Sequence, residues 1–257
     1  MECIEEVGVN IICLGNGESR LGLDLDELKK CCSIIGANAI YRDFTPDIVV
    51  AIDRGMMHEI YRSGYAKDHI CYFNNWNRLP SDAYVGLTTN IFSTNINEII
   101  ASPDSDEFVM HGAEKDGLIE HGAGLPKYWI TWTYLEDRVL NIPFEGLDAG
   151  PTAVKLACEE FSANNVFLIG HDLQSPSKIN NVYKGSDNYL PADKPKIDAD
   201  NWVFHLGQIF TENPYVNFYR VVVDNELSQD KVPEWKGIRN FKQIDMEEFE
   251  KTIDNIK

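Results

Sequence analysis

The stretch from residue 9 to residue 19, VNIICLGNGES, decides the fold. Residues 9–14 form a short apolar run, which is typical of a buried strand. The rest, Gly15-Asn16-Gly17-Glu18-Ser19, is a glycine-rich turn. Residues 24–32, DLDELKKCC, have acidic residues at the start and lysines towards the end. This order predicts a helix, because the charges complement the helix dipole. The stretch therefore predicts a strand that runs through a tight turn towards a helix.

Strand and helix patterns alternate in both halves of the chain. In the first half, strand patterns lie at residues 33–37, 47–52 and 69–73, and a helical pattern lies at 55–65. In the second half, helical patterns lie at 151–161, at 200–211 and from Asp245, and strand patterns lie at 165–170 and 216–223. This alternation predicts an α/β, Rossmann-like fold, with a mostly parallel sheet and helices on both faces.

Residues 76–147 interrupt the alternation and predict an irregular insertion or lid. We expect one domain over residues 1–257, with an N-terminal nucleotide-binding half at 9–75 and a C-terminal half at 148–257. Residues 173–199 are polar and without periodicity, and loops of that length in a compact domain are usually functional or mobile.

Composition restricts the classes of partner. The chain of 257 residues has a formal net charge of −18, which repels nucleic-acid backbones, so general nucleic-acid binding is not expected. A small anionic ligand remains compatible, because a helix N-terminus holds phosphate without net positive charge. The six cysteines show no C-x-x-C spacing, and no apolar stretch reaches the roughly 18 residues of a membrane span. A reducing cytoplasm is expected; the oligomeric state is not predicted.

The turn at residues 15–19 has two interpretations. A nucleotide phosphate needs close approach of the backbone, which Gly15 and Gly17 allow, and Ser19 has a hydroxyl to donate. The turn is neither G-x-G-x-x-G nor a Walker A loop, and a purely structural turn explains the glycines equally well.

Polar residues follow several predicted strands. Asn38 and Asp53 end the second and third strands, and Gly170-His171-Asp172 ends a later one. The carboxyl ends of parallel strands share one edge of the sheet, where α/β proteins bind ligands. The carboxylate of Asp172 is a group that is able to bind a ribose, a divalent metal or an acceptor hydroxyl. Helix caps and Asx turns are the alternative roles for Asn38 and Asp53.

The helix predicted from residue 151 offers a second cradle. The residues Asp148-Ala149-Gly150-Pro151-Thr152 open it, so that backbone N–H groups at its start are able to bind another part of a ligand. Capping explains Asp148 and Thr152 almost as well.

A general base that works near neutral pH is expected among the six histidines. His205 lies on the predicted helix 200–211, and His171 follows a strand. His111 and His121 flank an acidic, glycine-rich stretch, but no metal-ligand spacing supports a site there, so no metal ligands are assigned.

Taken together, the GNGES turn, Asn38, the PDIVVAID strand and AGPTAVKLACEEFSANNVFLIGHD form a recognisable pattern. It resembles two related Rossmann-like groups, the 6-hydroxymethylpterin diphosphokinase-like proteins and the bacterial sialyltransferases that use CMP-sialic acid. It is also similar to uncharacterised proteins of tailed phages, which implies a viral source and the host cytoplasm. The resemblance covers residues 9–75 and 148–173, about a third of the chain.

The resemblance to sialyltransferases implies roles for individual residues. The phosphate-binding residues would be Gly15, Asn16, Gly17 and Ser19. Asn38, Gly170 and Asp172 would contact the nucleotide, and His205 would be the general base because it is the only histidine late enough in the chain. Glu18 stands where the sialyltransferase turn has proline and would place a carboxylate beside the phosphate. That charge lowers the affinity for phosphate unless a metal or Arg20 offsets it.

Three functions follow as hypotheses. The first is a nucleotide-dependent transferase, most simply a glycosyltransferase with a CMP-sugar or similar nucleotide-sugar as co-substrate. Its catalytic residues would be His205 and Asp172, and its ligand-binding residues Gly15, Asn16, Gly17, Ser19, Asn38, Asp53, Gly150, Thr152 and Gly170. The second is a pterin-type diphosphokinase using ATP and Mg²⁺, with Asp53 and Asp172 as ligands. The third is a non-enzymatic binding or structural protein.

Overall fold

The computed structural model describes residues 9–80, 106–173, 178–223 and 232–255, except residues 113, 116, 117, 120, 123, 124 and 127. The chain divides into two compact units, Met1–Val50 with Gly146–Lys257, and Ala51–Glu145.

Eight strands form a parallel sheet in the order β12-β4-β3-β2-β1-β13-β14-β15. Their bounds are β1 Asn10–Leu14, β2 Ser33–Ala37, β3 Ile48–Ala51, β4 Ile70–Phe73, β12 Val139–Asn141, β13 Asn165–Ile169, β14 Asn217–Val222 and β15 Phe241–Asp245. The α/β, Rossmann-like fold is thereby confirmed. The chain runs from β1 towards β4 on one side and returns to β13 on the other, so the strand order reverses between β1 and β13. Such switch points are where open α/β sheets bind ligands.

The helices begin close to the predicted positions. They are α1 Leu25–Cys31, α2 Arg54–Arg62, α3 Tyr65–Asp68, α4 Ala149–Glu159, α5 Asp200–Glu212 and α6 Met246–Asn255, with short 3-10 helices at Glu18–Arg20, Asn38–Arg42 and Pro233–Trp235. The single helix predicted at 55–65 is divided, because Gly64 takes a left-handed φ of 82° between α2 and α3. No helix among the described residues is long and apolar enough to span a bilayer.

The core of the first unit lies around the central strands. β13 is buried along its whole length, and β1 and β2 are buried except at their first residues. In register, Leu14 of β1 pairs with Gly36 of β2 on one side and with Ile169 of β13 on the other. The residues that follow these three strands therefore emerge at one edge of the sheet.

The second unit contains the segment predicted to be an irregular insertion. β5 Leu79–Pro80, β6 Glu107–Gly112 and β11 Tyr128–Trp132 form an antiparallel sheet whose buried residues include Phe108, Val109, Ile130 and Thr131. β7 Glu114–Lys115 pairs with β8 Leu118–Ile119, and β9 His121–Gly122 pairs with β10 Leu125–Pro126.

Candidate functional site

The glycine turn after β1 closes on the end of β13. The Gly15 N–H donates to the Ile169 carbonyl over 2.8 Å, and the Gly17 N–H donates to the Gly170 carbonyl over 2.9 Å. A Cβ atom on Gly15 would lie 2.5 Å from the Gly170 carbonyl oxygen, and one on Gly17 would lie 2.4 Å from Asp172 Oδ2. Contact with the protein's own chain is therefore sufficient to require both glycines.

Asp172 holds the far end of the turn. Its Oδ2 accepts hydrogen bonds from the Ser19 N–H over 3.1 Å and from Asn180 Nδ2 over 2.9 Å, and its Oδ1 accepts from the Ser19 hydroxyl. Asp172 and Ser19 are each about 96 % buried. The structure thus brings these two predicted site residues together, and each one provides hydrogen-bond partners for the other.

The segment 178–190 lies against the outer side of the turn. Asn180 Oδ1 accepts from the Glu18 N–H over 2.7 Å, and Lys184 Nζ lies 2.6 Å from Glu18 Oε1. The charge of Glu18 is therefore offset by Lys184. Sequence reasoning missed this pairing, because its only signal was a long polar loop more than 150 residues away from the turn.

Arg20 is buried beneath the same segment. Its guanidinium donates to the Tyr183 hydroxyl over 2.7 Å and lies 3.5 Å from Asp43 Oδ2. The Tyr183 hydroxyl in turn donates to Asp43. Burial, together with this bond to Asp43, raises the pKa of Tyr183 well above its ordinary value. Tyr183 therefore remains a neutral donor and acceptor between a cation and a carboxylate.

Asn16 and Asn38 present amide oxygens at the ends of β1 and β2. Asn16 Nδ2 donates to the Ala37 carbonyl over 2.9 Å. This bond fixes the orientation of the amide, so that Oδ1 points away from the Ala37 carbonyl. Asn38 has a left-handed φ of 54°, which asparagine tolerates better than most residues. The Tyr189 hydroxyl lies 3.3 Å from Asn16 Nδ2, so the aromatic ring belongs to the same cluster.

His171 lies between two glycines. Its Cδ2 would be 3.0 Å from a Cβ on Gly15, and its Cε1 would be 3.2 Å from a Cβ on Gly150. The ring therefore lies between the turn and the start of α4, with Cδ2 towards Gly15 and the Cε1–Nδ1 edge towards Gly150. Burial and the charge of Arg220 lower the pKa of His171 and a backbone hydrogen bond to Cys13 opposes them, with a net pKa of about 4. The imidazole is neutral at pH 7.

The remaining predicted residues of the first unit have local partners or lie on α5. The Thr152 N–H donates to the Asp148 carbonyl over 2.9 Å in the first turn of α4. Gly170 takes a φ of 69°, which glycine adopts without strain. His205 lies on α5 beside Phe204, and its Nδ1 is buried. Asp53 belongs to the second unit, where it precedes α2.

Buried polar atoms without partners concentrate at this edge. Among the described residues, eight buried side-chain nitrogen or oxygen atoms have no hydrogen-bond partner. Half of them belong to the residues that follow β1, β2 and β13: Asn16 Oδ1, Arg20 Nε, Asn38 Oδ1 and His171 Nε2. Buried orphan groups are costly and require an explanation, of which a bound polar ligand is one. This cluster is the candidate site.

No known family, curated protein or solved structure matches the chain. Within the described residues no group of three histidine, cysteine or acidic side chains is arranged to hold a metal ion.

The second unit contains a histidine pair that sequence reasoning did not single out. His58 Nε2 lies 2.8 Å from His111 Nδ1, His58 Nδ1 lies 2.8 Å from Thr131 Oγ1, and His111 Nε2 lies 3.0 Å from the Asn75 carbonyl. Burial lowers the pKa of both histidines. With neutral rings, His111 donates from Nε2 to the carbonyl, which only accepts, so His58 donates from Nε2 to His111 Nδ1 and Thr131 donates to His58 Nδ1. The side chain of His121 lies outside the described residues.

Proposed function

We propose that the protein is a nucleotide-dependent transferase and that its reaction is glycosyl transfer from a nucleotide-sugar. The observation that supports this most is the cluster of four orphaned polar atoms beside the switch point between β1 and β13. Nucleotides bind Rossmann-like sheets at such points. A ligand there would satisfy hydrogen-bonding groups that the protein leaves unpaired.

The amide oxygens of Asn16 and Asn38 would accept hydrogen bonds from the nucleoside. A base with an exocyclic amine and a ribose with two hydroxyls both supply such donors. Arg20 Nε would donate to a ligand oxygen, and its charge is already held in place by Tyr183 and Asp43. The nucleoside would therefore meet a site whose polar groups are oriented before it arrives.

The phosphates would need the segment 178–190 to move. In the structure the N–H groups of Gly17, Glu18 and Ser19 all donate to acceptors of the protein itself. Withdrawal of Asn180 would release the Glu18 N–H, and the same movement would free Lys184 from Glu18. One amide donor and one cation would then be available to a phosphate.

The chemical step would use a histidine as general base. As the acceptor oxygen bonds to the anomeric carbon, the bond from that carbon to the phosphate oxygen breaks. The histidine takes the proton of the acceptor hydroxyl, and the nucleotide leaves with the electron pair. His205 is the predicted base. His171 is a second candidate, because its lowered pKa keeps it neutral and its Nε2 has no hydrogen-bond partner among the described residues. Asp172 would act as a positioning residue that holds Ser19.

One observation favours a non-catalytic binding protein as the second candidate. The turn already satisfies its own N–H groups, and the Asp172 carboxylate occupies both donors of Ser19. A protein that binds a nucleoside but never opens the turn would keep this arrangement. Nothing in the described site specifically favours diphosphoryl transfer, because the Asp172 oxygens required for Mg²⁺ accept hydrogen bonds from Ser19 and Asn180.

A thermal-shift panel of CMP, CDP, UDP, GDP, ATP and CMP-sialic acid, with and without Mg²⁺, tests these functions. A ligand at 100 times its dissociation constant adds roughly 2.7 kcal/mol of stability. Stabilisation by CMP without metal, with release of CMP from CMP-sialic acid, supports transfer. Stabilisation without release supports the binding protein. No shift at millimolar concentrations contradicts both, and a shift that requires ATP and Mg²⁺ supports the diphosphokinase.

Two variants identify the base. His205→Ala is expected to abolish release of CMP while leaving CMP binding unchanged. Loss of release in His171→Ala, with activity kept in His205→Ala, would assign the base to His171. Activity in both variants would contradict a histidine base.

A further inference from the structure

We propose that a groove along α5 is a docking site for a positively charged protein segment that inserts an apolar side chain. The groove lies wholly within the first unit, between α5 and residues 234–238, and its volume is about 710 Å³. It is separate from the residues proposed to bind the nucleotide.

The apolar part of the groove's lining consists of Val203, Phe204, Gly207, Trp235 and Ile238. Trp235 is 98 % buried, and its Nε1 donates to the Val203 carbonyl over 2.9 Å, which anchors the ring beneath the groove. Gly207 allows the close contact, since a Cβ there would lie 3.2 Å from the indole. Phe204 stands on the wall with 60 % of its surface exposed. A contiguous apolar surface with a polar rim is typical of protein interaction sites.

The rim carries a charge that selects the occupant. Asp200, Glu212 and Glu234 line the groove, and each is exposed. None of the three makes an ion pair within the described residues. A side-chain hydrogen bond with Asp198 raises the pKa of Asp200, and the like charges of Asp198 and Glu234 raise it further, so these acids also repel one another. A lysine- or arginine-bearing segment would relieve that repulsion while an apolar side chain covers Phe204.

Chemistry therefore favours an amphipathic, cationic peptide as the occupant. A second copy of this chain fits less well, because each copy carries a net charge of −18. Charge repulsion between copies opposes such an association, most strongly at low salt.

The test is a titration of the full-length protein with two fluorescent helical peptides of equal length, one of leucine and lysine and one of leucine and glutamate. The lysine peptide should bind and the glutamate peptide should not. The triple variant D200N/E212Q/E234Q should weaken binding about tenfold, and Phe204→Ala should do the same. The matched control is D26N/E136Q/E250Q, which removes three exposed acids elsewhere and should change affinity by less than about twofold.

Equal losses of affinity for the lysine peptide in the triple variant and in its control would overturn the proposal, because the attraction would then come from net charge alone. Retention of full affinity in Phe204→Ala would also overturn it. Sedimentation of the protein without peptide measures its oligomeric state and completes the test. A dimer that Phe204→Ala dissociates would assign the groove to a second copy and contradict a cationic partner. All changed side chains are exposed, so circular dichroism should be unaltered.

Discussion

At the scale of single residues, Gly15 and Gly17 are determined by contact with β13. Gly17→Ala would bring a methyl group to 2.4 Å from Asp172 Oδ2, so we expect a loss of about 2–3 kcal/mol in the free energy of unfolding. Gly150→Ala is the graded comparison, because its nearest neighbour, His171 Cε1, would lie at 3.2 Å. Urea denaturation should show a clearly smaller loss for Gly150→Ala; equal losses would contradict the packing explanation.

Asp172 is expected to stabilise the fold through the hydrogen bonds that its carboxylate oxygens accept. Asp172→Asn replaces one acceptor by an NH₂ group that faces the donors of Ser19 or Asn180. A buried donor without an acceptor costs about 1–3 kcal/mol, so the variant should lower the unfolding free energy by about that amount. Asp148→Asn is the control: Asp148 precedes α4 and makes no capping hydrogen bond, so its change should stay within about 0.5 kcal/mol. Similar values for the two variants would contradict the assigned role.

At the scale of elements, Arg220 fixes the end of β13 from the neighbouring strand. Its side chain, 98 % buried, donates to the His171 carbonyl over 3.0 Å, to the Asp172 carbonyl over 2.6 Å and to Gln243 Oε1 over 3.1 Å. The single nitrogen of a lysine is unable to reach all three acceptors. Arg220→Lys should therefore cost about 3 kcal/mol in urea denaturation.

Arg42→Lys provides the control for Arg220→Lys. Arg42 is exposed and bonds to Ser186 Oγ and the Asp187 carbonyl, so this change should cost less than about 1 kcal/mol. A cost for Arg220→Lys no larger than that of Arg42→Lys would mean that Arg220 does not hold the strand end.

The His58–His111 pair should make the second unit sensitive to acid. Burial first, then the neighbouring His111 and the charge of Arg62, together lower the pKa of His58 from 6.5 to about 2. Between these two pH values the unfolded chain binds a proton that the folded chain does not, so stability falls as pH falls below about 6. The slope for one such histidine approaches 1.4 kcal/mol per pH unit. Urea denaturation from pH 7 to 4 should show a shallower slope for His58→Gln, and identical slopes would contradict the neutral pair.

Among the secondary-structure elements, the buried parallel strands were predicted most accurately from the sequence. β1, β2 and β13 were predicted within a residue of their ends, because a fully buried parallel strand is a short apolar run between turn residues. β15, with the sequence FKQID, was missed, because an edge strand that is only partly buried shows little apolar signal. Residues 76–147 were predicted only as irregular, although β5, β6 and β11 form a sheet there.

The candidate site was harder to predict than the fold. Asn16, Asn38 and Asp172 were expected at one edge, because strand-end position follows from the sheet topology. The partners of Asp172, namely Ser19 and Asn180, depend on side-chain packing across up to 153 residues of sequence, which no local pattern reveals. The roles predicted for His205 and Asp53 remain predictions.

At the scale of the whole molecule, the parallel sheet and its reversal between β1 and β13 provide the setting for the proposed nucleotide. The net charge of −18 makes a phosphate ligand unfavourable at long range, so binding depends on local groups such as Arg20 and Lys184. Moderate salt should therefore improve the binding of a nucleotide up to the point where it screens these local contacts.

Calorimetric titration of the most stabilising nucleotide into wild-type protein and Asn38→Gly tests the central claim most directly. Glycine keeps the left-handed φ of residue 38 and removes only an amide whose oxygen has no partner among the described residues. Folding stability should hence change little, while the dissociation constant should rise about five- to tenfold, as expected for one lost hydrogen bond. Lys251→Gln, on the exposed face of α6, should bind like wild type. Equal affinity in wild type and Asn38→Gly would contradict a nucleotide site at the carboxyl ends of β1, β2 and β13.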